Sequence, residues 1–428
     1  MRRPLLAFLM IFTPATLLAQ SNLSGDWQAT AHQFGSTQYF ILHIEQTGEK
    51  VTGTIFGATI ECQLQSTVCA GTLRERSDRP NGTIRLTITG NEIQAEGSDP
   101  DGPFDFVARR PVAPSGAPRT HQFTPTKFYN YFSSKFEPVL HVSPGDTIET
   151  WSVDAGGTDA SGKRRSPGGN PLTGPFFVDG AWPGDTLVVK LKGVRLTRDT
   201  AMSGDQIVPS ALGPGYYRNL KFDEKFSSEW TLDRQAGVAR LTKPSDHLKN
   251  YTVPLKPMLG CIAVAPPQEM SFRSGYLGAW GGNMDFSQLG EGATVYLPVM
   301  HPGALLFLGD GHAAQGDGEL TGDALETSME FSVTVELVKN KSVAQPRAEN
   351  AQYRMASGIA NSLQEALQQA TTNLARWLAD DYKLTPNEVA VVLGTAMQYQ
   401  IAEVVDPLVH VVAKIDKKAL AGLQPDQK

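Results

Sequence analysis

Polar and apolar residues alternate through most of the first hundred positions. Gln38 to Gln46, Lys50 to Phe56, Gly82 to Thr89, Glu92 to Glu96 and Phe104 to Arg109 each follow period two, the pattern of a strand with one buried and one wet face. Turn-forming residues separate them, as at Thr47-Gly48 and Thr89-Gly90-Asn91, so neighbouring strands reverse as hairpins. The rhythm predicts a small antiparallel barrel or sandwich over residues 21–110, opened by Ser24-Gly25-Asp26-Trp27, long enough for one core. No cluster of histidine, cysteine or acid stands within it. It reads as an accessory or binding module.

Pro111, Pro114 and Pro118 then fall in eight residues that lack apolar periodicity, which marks 111–118 as a linker. A second domain is expected over 119–428. Its strands include Ile148 to Trp151 and Leu187 to Leu191, each preceded by a Pro-Gly-Asp turn, and the apolar run Ala304 to Leu308. Helical spacing takes over from Ser362 through Leu378. Thr385, Pro386 and Glu388 form a helix-start signal, which predicts a second helix from Val389 to about Val404. Val409 to Lys414 reads as a strand returning to the sheet. The class is β-rich α+β: a small N-terminal barrel or sandwich, then a larger β-sandwich domain with C-terminal helices.

Composition narrows the function. The 428 residues favour two or three domains, and 41 glycines with 28 prolines favour short strands over long helices. A net charge of −6 excludes a nucleic-acid partner, which needs a basic surface. Arg2-Arg3, the apolar stretch Leu5 to Leu18 and Ala19 read as a signal peptide over residues 1–20. The stretch is short for a membrane span and no second one follows. A periplasmic or secreted protein is expected, off the membrane once the signal is removed. In that setting Cys62 and Cys69 can close a hairpin-sized loop, while Cys261, in an apolar run, reads as a buried small hydrophobe.

The densest chemistry lies in Gly309-Asp310-Gly311-His312-Ala313-Ala314-Gln315-Gly316-Asp317-Gly318-Glu319. Glycines let the backbone turn sharply and aim the side chains between them at one point. Imidazole plus carboxylates suits a divalent metal, with zinc the first choice and calcium the alternative. Asn283 and Asp285, in a Gly-Gly-Asn-Met-Asp turn, join His312, Asp310 and Asp317 as candidate ligands or ligand-orienting groups. Glu319 or Glu326 suits proton transfer, with Asp317, Asp285 and Gln315 as further candidate catalytic residues. Glu149 reads as a solvated strand residue, and His141 and His301 as locally bonded. No serine elbow is present, and Cys261 has no basic sequence neighbour to activate it.

From Thr120 to Lys414 the chain resembles the acetamidase/formamidase family. The resemblance rests on Asn170 to Ala181, Pro183-Gly184-Asp185, Gly260 to Pro266, Gly281 to Asp285 and Val295 to Val299. The Gly309 to Glu319 loop with Ala324-Leu325-Glu326 continues it, and Trp377-Leu378 to Asp406 ends it. It implies hydrolysis of a small linear carboxamide, formamide- or acetamide-like, to carboxylate and ammonia, with a homo-oligomer left open. The signal peptide and the extra β domain depart from a cytoplasmic nitrogen-scavenging enzyme. The competing reading is a secreted, non-catalytic binding protein on an amidase-derived scaffold.

Overall fold

The computed structural model describes residues 22–55, 57–74, 81–112 and 116–423. The expected signal peptide lies outside them. The chain divides between Pro111 and Val112 into two units.

In the first unit eight strands form a closed antiparallel barrel, each pairing with the next and the last returning to the first. The alternation does what period two requires: Leu42 and Ile44, then Ile84, Leu86 and Ile88, fill the interior. Trp27 is buried, its indole N–H donating to the Leu23 carbonyl at 2.9 Å, and the Arg110 guanidinium lies 4.1 Å from its ring centroid. Three strands escaped the sequence pattern: Gly25–Gln33, Ala58–Gln65 and Val68–Arg74. In the last two, Cys62 and Cys69 occupy inward positions and are joined by a disulfide. Read as redox chemistry rather than as buried apolar positions, they hid the alternation that contains them.

The second unit builds one large core between a nine-stranded and a six-stranded sheet. In the larger sheet Thr186–Leu196 lies between Thr294–Pro298 and Met329–Val338. The smaller one places Leu306–His312 between Leu172–Val178 and Met258–Ala263, with Gly281–Asn283 beyond. The Leu306 strand therefore runs four residues past the expected end at Leu308, so Asp310 and His312 sit on a rigid element rather than in a loop.

The helix Leu363–Tyr382 packs on the strands Tyr353–Ala360 and Val409–Asp416 through Ala366, Ala370, Leu374 and Trp377. It approaches so closely that a Cβ on Gly358 would fall 1.9 Å from the Ala366 carbonyl oxygen. The next helix, Pro386–Ala396, starts at the expected capping box of Thr385 and Glu388 but ends eight residues early. Met397–Glu403 is instead an edge strand paired with Val409–Asp416. Its alternating Met397, Tyr399 and Ile401 favour the sheet, and the ladder to the neighbouring strand outweighs local helix propensity.

Candidate metal centre

His312, Asp310, Asp285, Glu319 and Glu326 converge at the end of the Leu306 strand, each no more than 7 % exposed. The His312 Nε2 atom lies 3.1 Å from Glu326 Oε1, 3.3 Å from Asp310 Oδ2 and 3.8 Å from Asp285 Oδ1. Two triads share the imidazole: Asp285, His312 and Glu319, and Asp310, His312 and Glu326. Within each triad the ligand atoms lie within 4.8 Å of one another.

Backbone geometry makes the convergence. Asn170, Asp285, Asp310 and Glu319 all take left-handed φ values, between 40° and 58°, a region that most side chains avoid and that clusters at functional sites. Gly260 supplies the space. A Cβ there would stand 2.3 Å from Asp285 Oδ1 and 2.5 Å from Asp310 Oδ2, so the two carboxylates can meet across this strand only where no side chain projects. The Glu326 segment is bonded to Met202 in both directions, and its neighbour Thr327 donates to the Gly311 carbonyl at 2.9 Å. That pairing brings Glu326 opposite His312.

Hydrogen bonds settle the histidine tautomer. Gln315 donates its amide N–H groups to the carbonyls of Asp285 and Ala402, which turns its Oε1 toward His312 Nδ1 at 3.0 Å. An acceptor at that point requires a proton on Nδ1 and turns Nε2 to the carboxylates, where it donates to them as an imidazolium or, with a cation bound, gives up that proton and becomes the ligating nitrogen. A ligating histidine is held in this way. Gln315 is thus a support for His312.

The electrostatics suit a cation. Burial, reinforced by Glu319 and Asp310, holds Asp285 well above the usual carboxylate range. Burial does the same for Glu319, with His312 opposing it and Glu326 and Asp310 adding to it. Glu326 is pushed up to about 7, again chiefly by burial. Burial alone would lower His312, but Glu326 and Asp310 outweigh it and raise the imidazole well above its ordinary value. Asp285 Oδ1, Asp310 Oδ1 and Glu326 Oε2 are buried without a hydrogen-bond partner. Several unneutralised carboxylates at such depth are strongly unfavourable. Oxygen atoms with no donor, one imidazole nitrogen and a cradle opened by a glycine fit a divalent cation.

Not every expected residue joins the cluster. Asp317 is exposed and accepts from Gln400 Nε2 at 2.6 Å; after Gln315 the chain turns outward and carries it away from His312. Asn283 is present but is not placed as a ligand, because its Oδ1 faces Asn170 Nδ2 at 3.0 Å and the Cys261 thiol at 2.8 Å. Glu149 pairs with Gln122, His141 with Asp179, and His301 with the Pro266 carbonyl. Cys261 adjoins the cluster, yet burial and the carboxylates of Asp310 and Asp285 raise its thiol well above the ordinary value, the opposite of an activated nucleophile.

A model of the acetamidase/formamidase family matches residues 119–274 and 279–415. The chain belongs to the acetamidase/formamidase family. Among solved structures, an acetamidase from Yersinia enterocolitica is 29 % identical with a TM-score of 0.61, over 73 % of this chain and 96 % of that one. An acetamidase from Bacillus halodurans is 25 % identical with a TM-score of 0.59, over 71 % and 99 %. A formamidase from Methylophilus methylotrophus is 23 % identical over 267 residues, half of this chain and 65 % of that protein. The match to a Schizosaccharomyces pombe relative, 26 % over 221 residues, spans 52 % of its length. The chain thus spans about half to two thirds of these curated relatives.

Three residues that the sequence pattern does not point to, Asn170, Asp406 and Glu403, also stand at this cluster. Asn170 donates to Asp310 Oδ2 at 3.2 Å as well as to Asn283. Asp406 accepts from Asn283 Nδ2 at 2.9 Å, and Glu403 is fully buried behind it. Asn170 follows Gly168-Gly169, a turn signal, and Asp406 precedes Pro407. Neither signal indicates which distant residue it meets.

Proposed function

We propose that this protein hydrolyses a small linear carboxamide to a carboxylate and ammonia. The observation that carries the reading is the buried cluster of one imidazole and four carboxylates, found in a chain of the acetamidase/formamidase family. His312, Asp310, Glu326 and Asp285 would hold a divalent cation, zinc being the first to test because an imidazole nitrogen is in the donor set. When bound, the cation supplies Lewis-acid polarisation of a carbonyl and lowers the pKa of a water. Glu319, its proton affinity raised by burial, would take the proton of the attacking water once ionised beside the cation and return it to the nitrogen as the C–N bond breaks. Gln315 keeps His312 in the ligating tautomer.

The depth of the cluster supports a small substrate, since a bulky acyl or amine group would have to displace packed side chains. Ammonia release should be measured across formamide, acetamide, propionamide and benzamide, on protein depleted of metal and then reloaded. Turnover of the shortest amides, lost on chelation and restored by zinc, is the expected result. Full turnover in metal-free protein would remove the cation from the mechanism. No release from any amide would favour the non-catalytic reading.

Export to the periplasm or beyond is part of the proposal. The N-terminal composition and the Cys62–Cys69 disulfide support it. Sequencing the mature N-terminus from the native host tests it, with a start at Gln20 or Ser21 expected and an intact Met1 contradicting it.

A further inference from the structure

Asn283 is saturated on both ends of its amide. Asn170 Nδ2 and the Cys261 thiol converge on its oxygen, and its nitrogen donates to Asp285 Oδ2 and to Asp406 Oδ2. Two donors on one side and two carboxylates on the other leave the amide a single orientation. Asp285 and Asp406 thus divide the two N–H groups of one side chain between them.

Asp406 is itself held. It follows the edge strand Met397–Glu403, where the Glu403 carboxylate accepts the backbone N–H of Val405 at 2.9 Å and of Asp406 at 3.0 Å. The same strand end is tied to the site from another side. Gly318 N–H donates to the Ile401 and Ala402 carbonyls, and Val404 N–H donates to Gly318 O. The bend that presents Asp406 is therefore fixed against the turn that presents Glu319.

We infer that Asp406, held by Glu403, is a positioning residue for the cation site, acting through Asn283 on Asp285. With Asn283 anchored at Asp406, Asp285 Oδ2 stays engaged and Oδ1 stays turned toward His312 Nε2, 3.8 Å away, with no hydrogen bond to draw it aside. Without the anchor, the Asn283 amide swings free and Asp285 loses the bond that orients it. What position 406 must provide is an acceptor at one point. The side-chain oxygen of asparagine meets that need, and alanine does not. The inference rests on the cation reading above.

The test uses the full chain, stripped of metal and titrated with zinc against a chromophoric chelator, with circular dichroism to confirm the fold. Asp406→Ala should weaken zinc binding by about 10- to 100-fold, the usual effect of losing a group that orients a ligand. Asp406→Asn should stay within about threefold of the parent protein, because it retains the acceptor. Asn283→Ala should match Asp406→Ala, and the double variant should lose little more, since both act on one bond chain. Parent-like zinc affinity in Asp406→Ala overturns the inference, and so do additive losses in the double variant. An equal loss in Asp406→Asn also overturns it, by showing that position 406 acts through its charge. Failure of the parent protein to bind zinc overturns the cation reading and this inference together, which separates that case from the other three.

Discussion

At the scale of single residues, what decides the site is which side chains the backbone aims inward. His312→Ala should abolish stoichiometric metal and lower amide turnover by at least about 10², because no neighbouring nitrogen can replace it. Asp317→Ala should leave metal content and turnover within about threefold, as expected of an exposed side chain bonded to Gln400. Metal analysis and ammonia release on the same preparations check both. Gly260→Ala pushes a methyl group between Asp285 and Asp310 and should lower zinc affinity and turnover, while circular dichroism remains native. Parent-like affinity would show that the two acids can separate without loss. The sequence made His312, Asp310, Asp285 and Glu319 visible because glycines crowd around them. It misplaced Asp317 because ligand-type residues look alike until the turn after Gln315 is known. Asn170 and Asp406 stayed hidden because their partners are set by tertiary folding.

At the scale of elements, the period of the pattern was legible where strands are two-faced and failed where competing signals met. The barrel strands and the capping box could be read directly. The switch from helix to strand at Met397 could not, since the segment gains its ladder only beside Val409–Asp416. Close packing of the long helix gives an element-level prediction. Gly358→Ala should destabilise the second unit by about 1–3 kcal/mol, because its methyl group meets helix backbone that cannot rotate away. Thr385→Ala should cost about 1 kcal/mol through loss of the cap. Urea unfolding measures both, and parent-like stability of Gly358→Ala would mean that the long helix is not seated as tightly as its distance to Gly358 indicates.

At the scale of the whole molecule, each unit has its own core, so a chain starting near Arg119 should fold and keep amide turnover. A cooperative melt of the shortened chain checks this. Stability should also follow pH through His410, buried between the Met284 carbonyl and the Ser357 hydroxyl. Burial lowers its pKa to about 4 from 6.5. Its neutral form therefore favours the fold above pH 6.5, and that contribution fades as pH falls toward 4, because the unfolded chain takes up the proton first. The stability advantage over His410→Asn should shrink by roughly 2–3 kcal/mol between pH 7 and pH 4, and an unchanged gap would show that His410 is not neutral in the fold. The centre draws on residues from Asn170 to Asp406, with the edge strand Met397–Glu403 among its last walls to be synthesised. A nascent chain carries every carboxylate of the cluster before it has the segment that holds them in register. Were the chain exported before it folds, that order would set the supply: an ion would be drawn from the pool at the destination, where the finished fold first offers a closed site.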